Sequence, residues 1–427
     1  MQVYPKAKLI LEDGSVYSGY SFGSQTSKDG EVVFTTGMVG YPESLTDPSF
    51  CGQILVCTYP LIGNYGVPTE ENNQNQSNKS ISTYFESEKI QVQGLIVSEY
   101  SDTSYHWQAA KTLSQWLKEQ NVPAICGIDT RALTKKLREK GVMLGRIVLE
   151  HARKDNSTIS PINTSHSISS FLSQHSSHSA HDPSLFTFED PNHQNLVAKV
   201  SCQKKILYLP KAPSSSSQHS SQHSSTSQNT NLKIIMVDCG VKNNIIREFL
   251  QRDITVLRVP WDYDFTKEQY DGVFISNGPG DPTQCHATIT NIQKALTQSK
   301  PILGICLGSQ IMALAAGAKT YKLKYGHRGQ NQPCINTTTQ RCYITSQNHG
   351  YAVDEKTLHP DWEAFLTNAN DDSNEGIRHK TKPFFAVQFH PEATPGPTDT
   401  QFFFDEFIES ILKSKEILTS KEKVHHD

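Results

Sequence analysis

Pro301-Ile302-Leu303-Gly304-Ile305-Cys306-Leu307-Gly308-Ser309-Gln310 reads as a short buried strand, a tight turn centred on Cys306, and the start of a helix that continues in small and apolar residues from Ile311 to Ala316. Glycines on both sides of a nucleophile tolerate the strained strand-to-helix turn that lifts its side chain out of a sheet. The nucleophile here is a thiol. With an ordinary pKa of about 8.5 it needs a base or a positive dipole beside it to act at neutral pH. Further on, Phe384-Phe385-Ala386-Val387-Gln388-Phe389 reads as a strand that ends in His390-Pro391-Glu392, with His390 eighty-four residues after Cys306. A neutral His390 can take the thiol proton, and Glu392 can hold the ring in the required tautomer. Alone, an apolar Cys is usually inert core and a His-Pro-Glu is usually a turn. The glycine elbow, the two strands and the distant His together point to thiol catalysis.

Working outward, the stretch from Leu232 alternates short strands and helices of about ten residues: strand Lys233 to Val237, helix Lys242 to Leu250, strands Thr255 to Val259 and Gly272 to Ser276, and helix Thr288 to Thr297. That alternation predicts an α/β fold with a doubly wound parallel sheet, whose ligand crevice lies at the carboxyl ends of its strands. Asn277-Gly278-Pro279-Gly280-Asp281-Pro282 follows one of those strands and falls at the same sheet edge as Cys306. Backbone amides there and at Leu307 suit an oxyanion hole. Gln310 and the run Gln347-Asn348-His349-Gly350-Tyr351 add amide groups fit for an amide substrate, although Gln347 and Asn348 also suit a turn.

Residues 1–150 alternate β-like runs, among them Lys8-Leu9-Ile10-Leu11, Glu31-Val32-Val33-Phe34 and Gln53-Ile54-Leu55-Val56, before helices expected over His106 to Glu119 and Arg131 to Lys140. This predicts an N-terminal α+β domain. Residues 151–231 turn to Ser, His, Gln and Asn and read as a linker or disordered insertion, interrupted by a short ordered piece from Asn195 to Ser201. The catalytic domain spans 232–415, and 416–427 reads as a polar tail.

With 40 Lys+Arg against 43 Asp+Glu in 427 residues, and no basic stripe with interleaved aromatics, nucleic acid is not an expected partner. The nine Cys lack paired spacings, which argues against zinc and disulfide frameworks, and the His-rich tract lacks a ligand spacing; no metal is expected. The most hydrophobic window, Pro301 to Ala318, carries Ser309, Gln310 and several glycines and reads as buried rather than membrane-spanning. The first fourteen residues resemble neither a signal nor a transit peptide, so the cytoplasm is the expected compartment.

Ser276 to Pro282, Gly304 to Gln310 and His390 to Ala393 resemble the class I glutamine amidotransferase domain. Leu11-Glu12-Asp13-Gly14, Gly37 to Glu43, Leu45 to Ser49 and Tyr59 to Gly66 narrow the resemblance to the small subunit of carbamoyl-phosphate synthase, nearest its fungal arginine-specific type. The resemblance implies that L-glutamine is hydrolysed at Cys306, with His390 as base and Glu392 as orienting acid. It places Ser49, Gly278, Gly280, Leu307, Gln310, Asn348, Gly350 and Tyr351 in glutamine binding, with Gly278 and Leu307 as oxyanion donors. It also implies ammonia transfer to a large synthetase subunit that makes carbamoyl phosphate for arginine biosynthesis. No cofactor is expected on this chain, and ATP and Mg belong on the large subunit; the chain has no Gly-x-x-x-x-Gly-Lys-Ser/Thr loop. A stand-alone Cys hydrolase of γ-glutamyl compounds and a non-catalytic regulatory subunit are the alternative readings.

Overall fold

The computed structural model describes residues 4–69, 81–150, 187–210 and 232–424, in two compact units. Of the described residues, the first holds 4–35, 52–69, 92–150 and 187–191; the second holds 36–51, 81–91, 192–210 and 232–424. Two segments expected in the N-terminal domain, 36–51 and 81–91, therefore pack with the second unit. The expected insertion falls largely outside the described residues, but 187–210 is ordered and carries the helical turn Val197–Val200.

In the first unit seven strands close into a barrel: β1 (Lys6–Leu11), β2 (Val16–Ser21), β3 (Lys28–Thr35), β4 (Gln53–Cys57), β5 (Gly94–Val97), β6 (Ala124–Cys126) and β7 (Met143–Leu149), in the order β1-β2-β6-β5-β4-β3-β7. Closure leaves no unpaired strand edge. Alternate side chains fill the core, as in β1, where Ala7, Leu9 and Leu11 are buried and their neighbours are not. Helix α1 (Leu113–Glu119) is shorter than the expected His106 to Glu119. Thr112 caps it by accepting from Gln115 N, and Ala109–Lys111 just before it is extended and pairs with Val67–Pro68. Helix α2 (Thr130–Lys140) starts at the Asp129 cap, stops at Gly141 with φ 105°, and buries Leu133 and Leu137.

The second unit is built on a ten-stranded sheet of β8 (Ile206–Tyr208), β9 (Lys233–Asp238), β10 (Thr255–Pro260), β11 (Gly272–Ile275), β12 (Ile302–Ile305), β13 (Lys319–Asn336), β14 (Cys342–Asp354), β15 (Trp362–Asn368), β16 (Asn374–His379) and β17 (Phe384–Val387). Its order is β8-β10-β9-β11-β12-β17-β16-β15-β13-β14. The five central strands from β10 to β17 are parallel, as the βα alternation predicts; the outer strands on both sides are antiparallel. Gln347 to Tyr351 thus lie on a strand and not in a turn.

Because side chains alternate across a strand, each central strand feeds two cores. Ile235, Val237 and Ile275 face helices α4 (His286–Leu296) and α5 (Leu307–Ala315), packing on Ile292 and Ile311. Ile234, Met236 and Phe274 face α3 (Asn243–Gln251) and α6 (Phe402–Val424), where Phe249 meets Phe274, Phe404 and Phe407 edge to face. The polar tail expected from residue 416 is the continuation of α6 through Val424. No helix among the described residues is long and apolar enough to cross a membrane.

Candidate active site

The chain passes from β12 into α5 through Cys306, whose φ of 55° and ψ of −106° are conformations that L-residues seldom adopt. The flanking glycines are sterically obligatory. A Cβ on Gly304 would lie 2.6 Å from the Gly308 carbonyl oxygen, and one on Gly308 would lie 2.1 Å from that of Ile275. The Cys306 amide donates to Val387 O of β17 at 2.9 Å, which ties the elbow to the strand that leads to His390. Its thiol donates to the Asn348 carbonyl at 3.7 Å. Leu307 N–H, the first helical amide, has no acceptor within the helix and stands at the positive end of its dipole.

His390 Nδ1 lies 2.7 Å from Glu392 Oε1, and both residues are buried. The acceptor on Nδ1 sets the tautomer and leaves Nε2 to face Cys306, where it completes no hydrogen bond in this geometry. Such contacts commonly tighten only around a reacting substrate. Burial alone would depress the His390 pKa. The Glu392 carboxylate and the Cys306 sulfur outweigh burial and push it up, to about 10. Burial would likewise raise Glu392, but Lys242 and His390 bring it down to about 2. The electrostatics therefore favour a buried carboxylate paired with an imidazolium beside the elbow sulfur.

Lys242 is the component that sequence reasoning missed. Only 4% exposed, it donates from Nζ to Glu392 Oε1 at 2.9 Å and to Ala393 O at 2.6 Å, so the carboxylate bridges a lysine and a histidine. Asn244 Nδ2 donates to Glu392 O at 2.6 Å, and Asn244 N donates to Glu86 Oε2 at 2.9 Å. The available signal was the polar run Lys242-Asn243-Asn244, separated by three residues from the end of strand β9, at the carboxyl edge already identified as the crevice.

The other expected site residues gather at the same edge. Ser49 is buried in the turn Pro48–Phe50, and its Oγ accepts from Asn277 Nδ2 at 2.9 Å. Gly278 and Gly280 follow β11; a Cβ on Gly278 would strike the Cys239 carbonyl oxygen at 2.0 Å, and Gly280 has φ +84°. From α5, Gln310 Nε2 donates to Tyr351 O at 2.8 Å. Asn348 Nδ2 donates to Asp47 Oδ2 at 3.1 Å, joining β14 to the segment that carries Ser49. Gly350 and Tyr351 continue β14, and Lys322 Nζ lies 6.0 Å from the Tyr351 ring centre.

A parallel sheet in the order 2-1-3-4-5, an elbow thiol and a buried His-Glu pair together define a class I glutamine amidotransferase domain, and residues 235–410 match the family Glutamine amidotransferase class-I. Residues 9–147 match the family Carbamoyl-phosphate synthase small chain, CPSase domain. The chain therefore carries a carbamoyl-phosphate synthase small-chain domain followed by a class I glutamine amidotransferase domain. It is 50% identical to Multifunctional protein pyr-3 of Neurospora crassa over 95% of this chain and 21% of the relative. To Multifunctional protein URA2 of Saccharomyces cerevisiae it is 49% identical, over 95% of this chain and 18% of the relative. To Carbamoyl-phosphate synthase [ammonia], mitochondrial, of Homo sapiens it is 44% identical, over 96% of this chain and 24% of the relative. The chain thus spans about a fifth of the length of these relatives.

Proposed function

We propose that this chain is the glutaminase of a carbamoyl-phosphate synthase: it releases ammonia from L-glutamine through a Cys306 thioester and delivers it to a synthetase that joins it to bicarbonate with ATP. The observation that carries this reading is the buried line Lys242–Glu392–His390 ending at the elbow thiol. Cys306 thiolate attacks the side-chain amide carbon, and the developing oxyanion is held by the Gly278 and Leu307 amides. Loss of one such donor typically costs about 10²- to 10³-fold in rate. The His390 imidazolium gives its proton to the departing ammonia as the C–N bond breaks. The neutral ring then takes a proton from water, which cleaves the thioester to glutamate and regenerates the thiol. Ser49, Gly280, Gln310, Asn348, Gly350 and Tyr351 hold the substrate.

Ammonia protonated in bulk water is no nucleophile, so the product calls for a closely associated acceptor. ATP and Mg²⁺ belong to that synthetase, which is a large subunit or a further part of the same polypeptide, as in the relatives named multifunctional. The free-standing arginine-pathway type remains the reading that the fungal resemblance implies; the multifunctional relatives favour asking the same question of pyrimidine synthesis. The name of the human relative gives ammonia as its nitrogen source. For this chain, the intact Cys306, His390 and Glu392 are the reason to assign glutamine. Neither a stand-alone hydrolase nor a non-catalytic subunit accounts for both matched domains and an intact thiol site.

The test is carbamoyl-phosphate synthesis by the chain with its synthetase, with glutamine or ammonium as donor. Cys306→Ser should abolish only the glutamine-dependent rate. Unchanged glutamine use would remove Cys306 from the reaction, and failure to couple to any synthetase would favour the stand-alone hydrolase.

A further inference from the structure

Beside the strand that carries Asn348 and Gly350, three buried side chains converge from three strands. His327 on β13 and His349 on β14 are directly paired across the two strands, with ring centres 4.9 Å apart and planes at 87°. Glu375 at the start of β16 completes the group, and one donor atom from each residue lies within 4.8 Å of the others. No step of the proposed glutamine chemistry uses them.

The hydrogen bonds around this group leave its lone pairs pointing at one another. His327 Nε2 is 2.9 Å from the Asp371 carboxylate and donates to it, so that in the neutral ring Nδ1 presents a lone pair. Nδ1 lies 3.8 Å from Glu375 Oε1, too far for a hydrogen bond, and is buried without a partner, as is Glu375 Oε2. His349 Nδ1 is 2.8 Å from the Tyr351 carbonyl and so carries its proton, which leaves the Nε2 lone pair 3.1 Å from the Gln347 amide oxygen. Buried acceptors that face acceptors are costly unless something positive lies between them.

We propose that His327 Nδ1, His349 Nε2 and Glu375 form a binding site for a divalent transition-metal cation of the Zn²⁺ class. Two neutral imidazoles and one carboxylate are the donor set that such a cation takes, with a fourth position left over, and the Gln347 amide oxygen is beside it. Each imidazole already has the outer partner that metal-bound histidines need: a carboxylate on His327 and a backbone carbonyl on His349. Tetrahedral donors about 2.0–2.1 Å from the ion stand roughly 3.4 Å apart. The rings therefore close by about 1 Å around the ion, a side-chain adjustment. The bound cation joins β13, β14 and β16 and stiffens the strand next to Cys306.

The experiment is metal titration of the full chain after chelation, reading Zn²⁺ stoichiometry by equilibrium dialysis and the visible spectrum of bound Co²⁺. The wild type should hold one equivalent with a four- or five-coordinate Co²⁺ spectrum. Glu375→Gln and His327→Gln should lose it. Asp371→Asn keeps all three ligands and alters a partly exposed residue, so it should fold and bind about 10- to 100-fold more weakly. Circular dichroism of each variant separates lost binding from lost folding. Equal zinc in wild type and variants would place the metal at other histidines of the chain and overturn the proposal. Absence of a stoichiometric site in the wild type would also overturn it.

Discussion

Replacing Lys242 with methionine keeps the length and apolar stem of the side chain and removes its charge. Glu392 then keeps only His390 as a counter-charge, and Ala393 O loses a donor that now stands at 2.6 Å. Breaking one side of a buried ion pair typically costs about 3–5 kcal/mol. Because the imidazolium still neutralises part of the carboxylate, about 2–4 kcal/mol is expected, or a fall of roughly 1 M in the urea midpoint of the second unit. The pH dependence adds a second readout. Glu392 has a depressed pKa, so its contribution is complete above the ordinary carboxylate value and is lost as the pH falls toward its folded value, about 2. Without Lys242 that folded value rises, and acid unfolding begins at higher pH. The assay is urea unfolding of Lys242→Met, Glu392→Gln and the double variant across the acid range. A coupling energy of about 1.5 kcal/mol or more is expected. An additive cycle with an unmoved acid transition would refute the bridging role of the carboxylate.

Three further outcomes follow from the same geometry. Glu392→Gln removes the negative charge that raises His390, so the imidazolium deprotonates sooner and the alkaline limb of kcat/KM for glutamine moves down by about one pH unit or more; an unmoved limb would separate it from His390. Gly308→Ala forces a Cβ against the Ile275 backbone and should cost at least about 2 kcal/mol in thermal or denaturant unfolding, with loss of glutaminase activity; wild-type stability would contradict the elbow packing. Ser49→Ala deprives Asn277 of its acceptor and should raise KM for glutamine by about 10-fold with little change in kcat, as loss of one buried hydrogen bond predicts; a fall in kcat alone would place Ser49 in the chemistry.

The elbow, the His-x-Glu strand end and the five parallel strands were legible because each is encoded in a few consecutive residues: glycines where a Cβ cannot fit, and β-rich runs spaced by ten-residue helices. Lys242 was not, because its meaning depends on Glu392, 150 positions away, and a lysine after a strand looks like a solvated cap. The antiparallel strands β13 and β14 were hidden by composition: Lys319–Asn336 alternates charged, polar and glycine residues along partly exposed backbone and carries no hydrophobic period. Helix α1 was drawn too long because His106 and Trp107 suit a helix as well as the exposed loop they occupy. Ser49 entered through family resemblance alone, since no local pattern reveals that its segment crosses into the second unit to meet Asn277. The trio His327, His349 and Glu375 is spread over three strands at spacings that match no linear metal motif.

The most direct test of the central claim is acid quenching of the chain during glutamine turnover, followed by mass analysis of its cysteine peptides. The account predicts one glutamyl group in thioester linkage on the peptide containing Cys306, absent from Cys306→Ser and removed by hydroxylamine. Glutamine turnover without that adduct, or with the adduct on another of the nine cysteines, would contradict it.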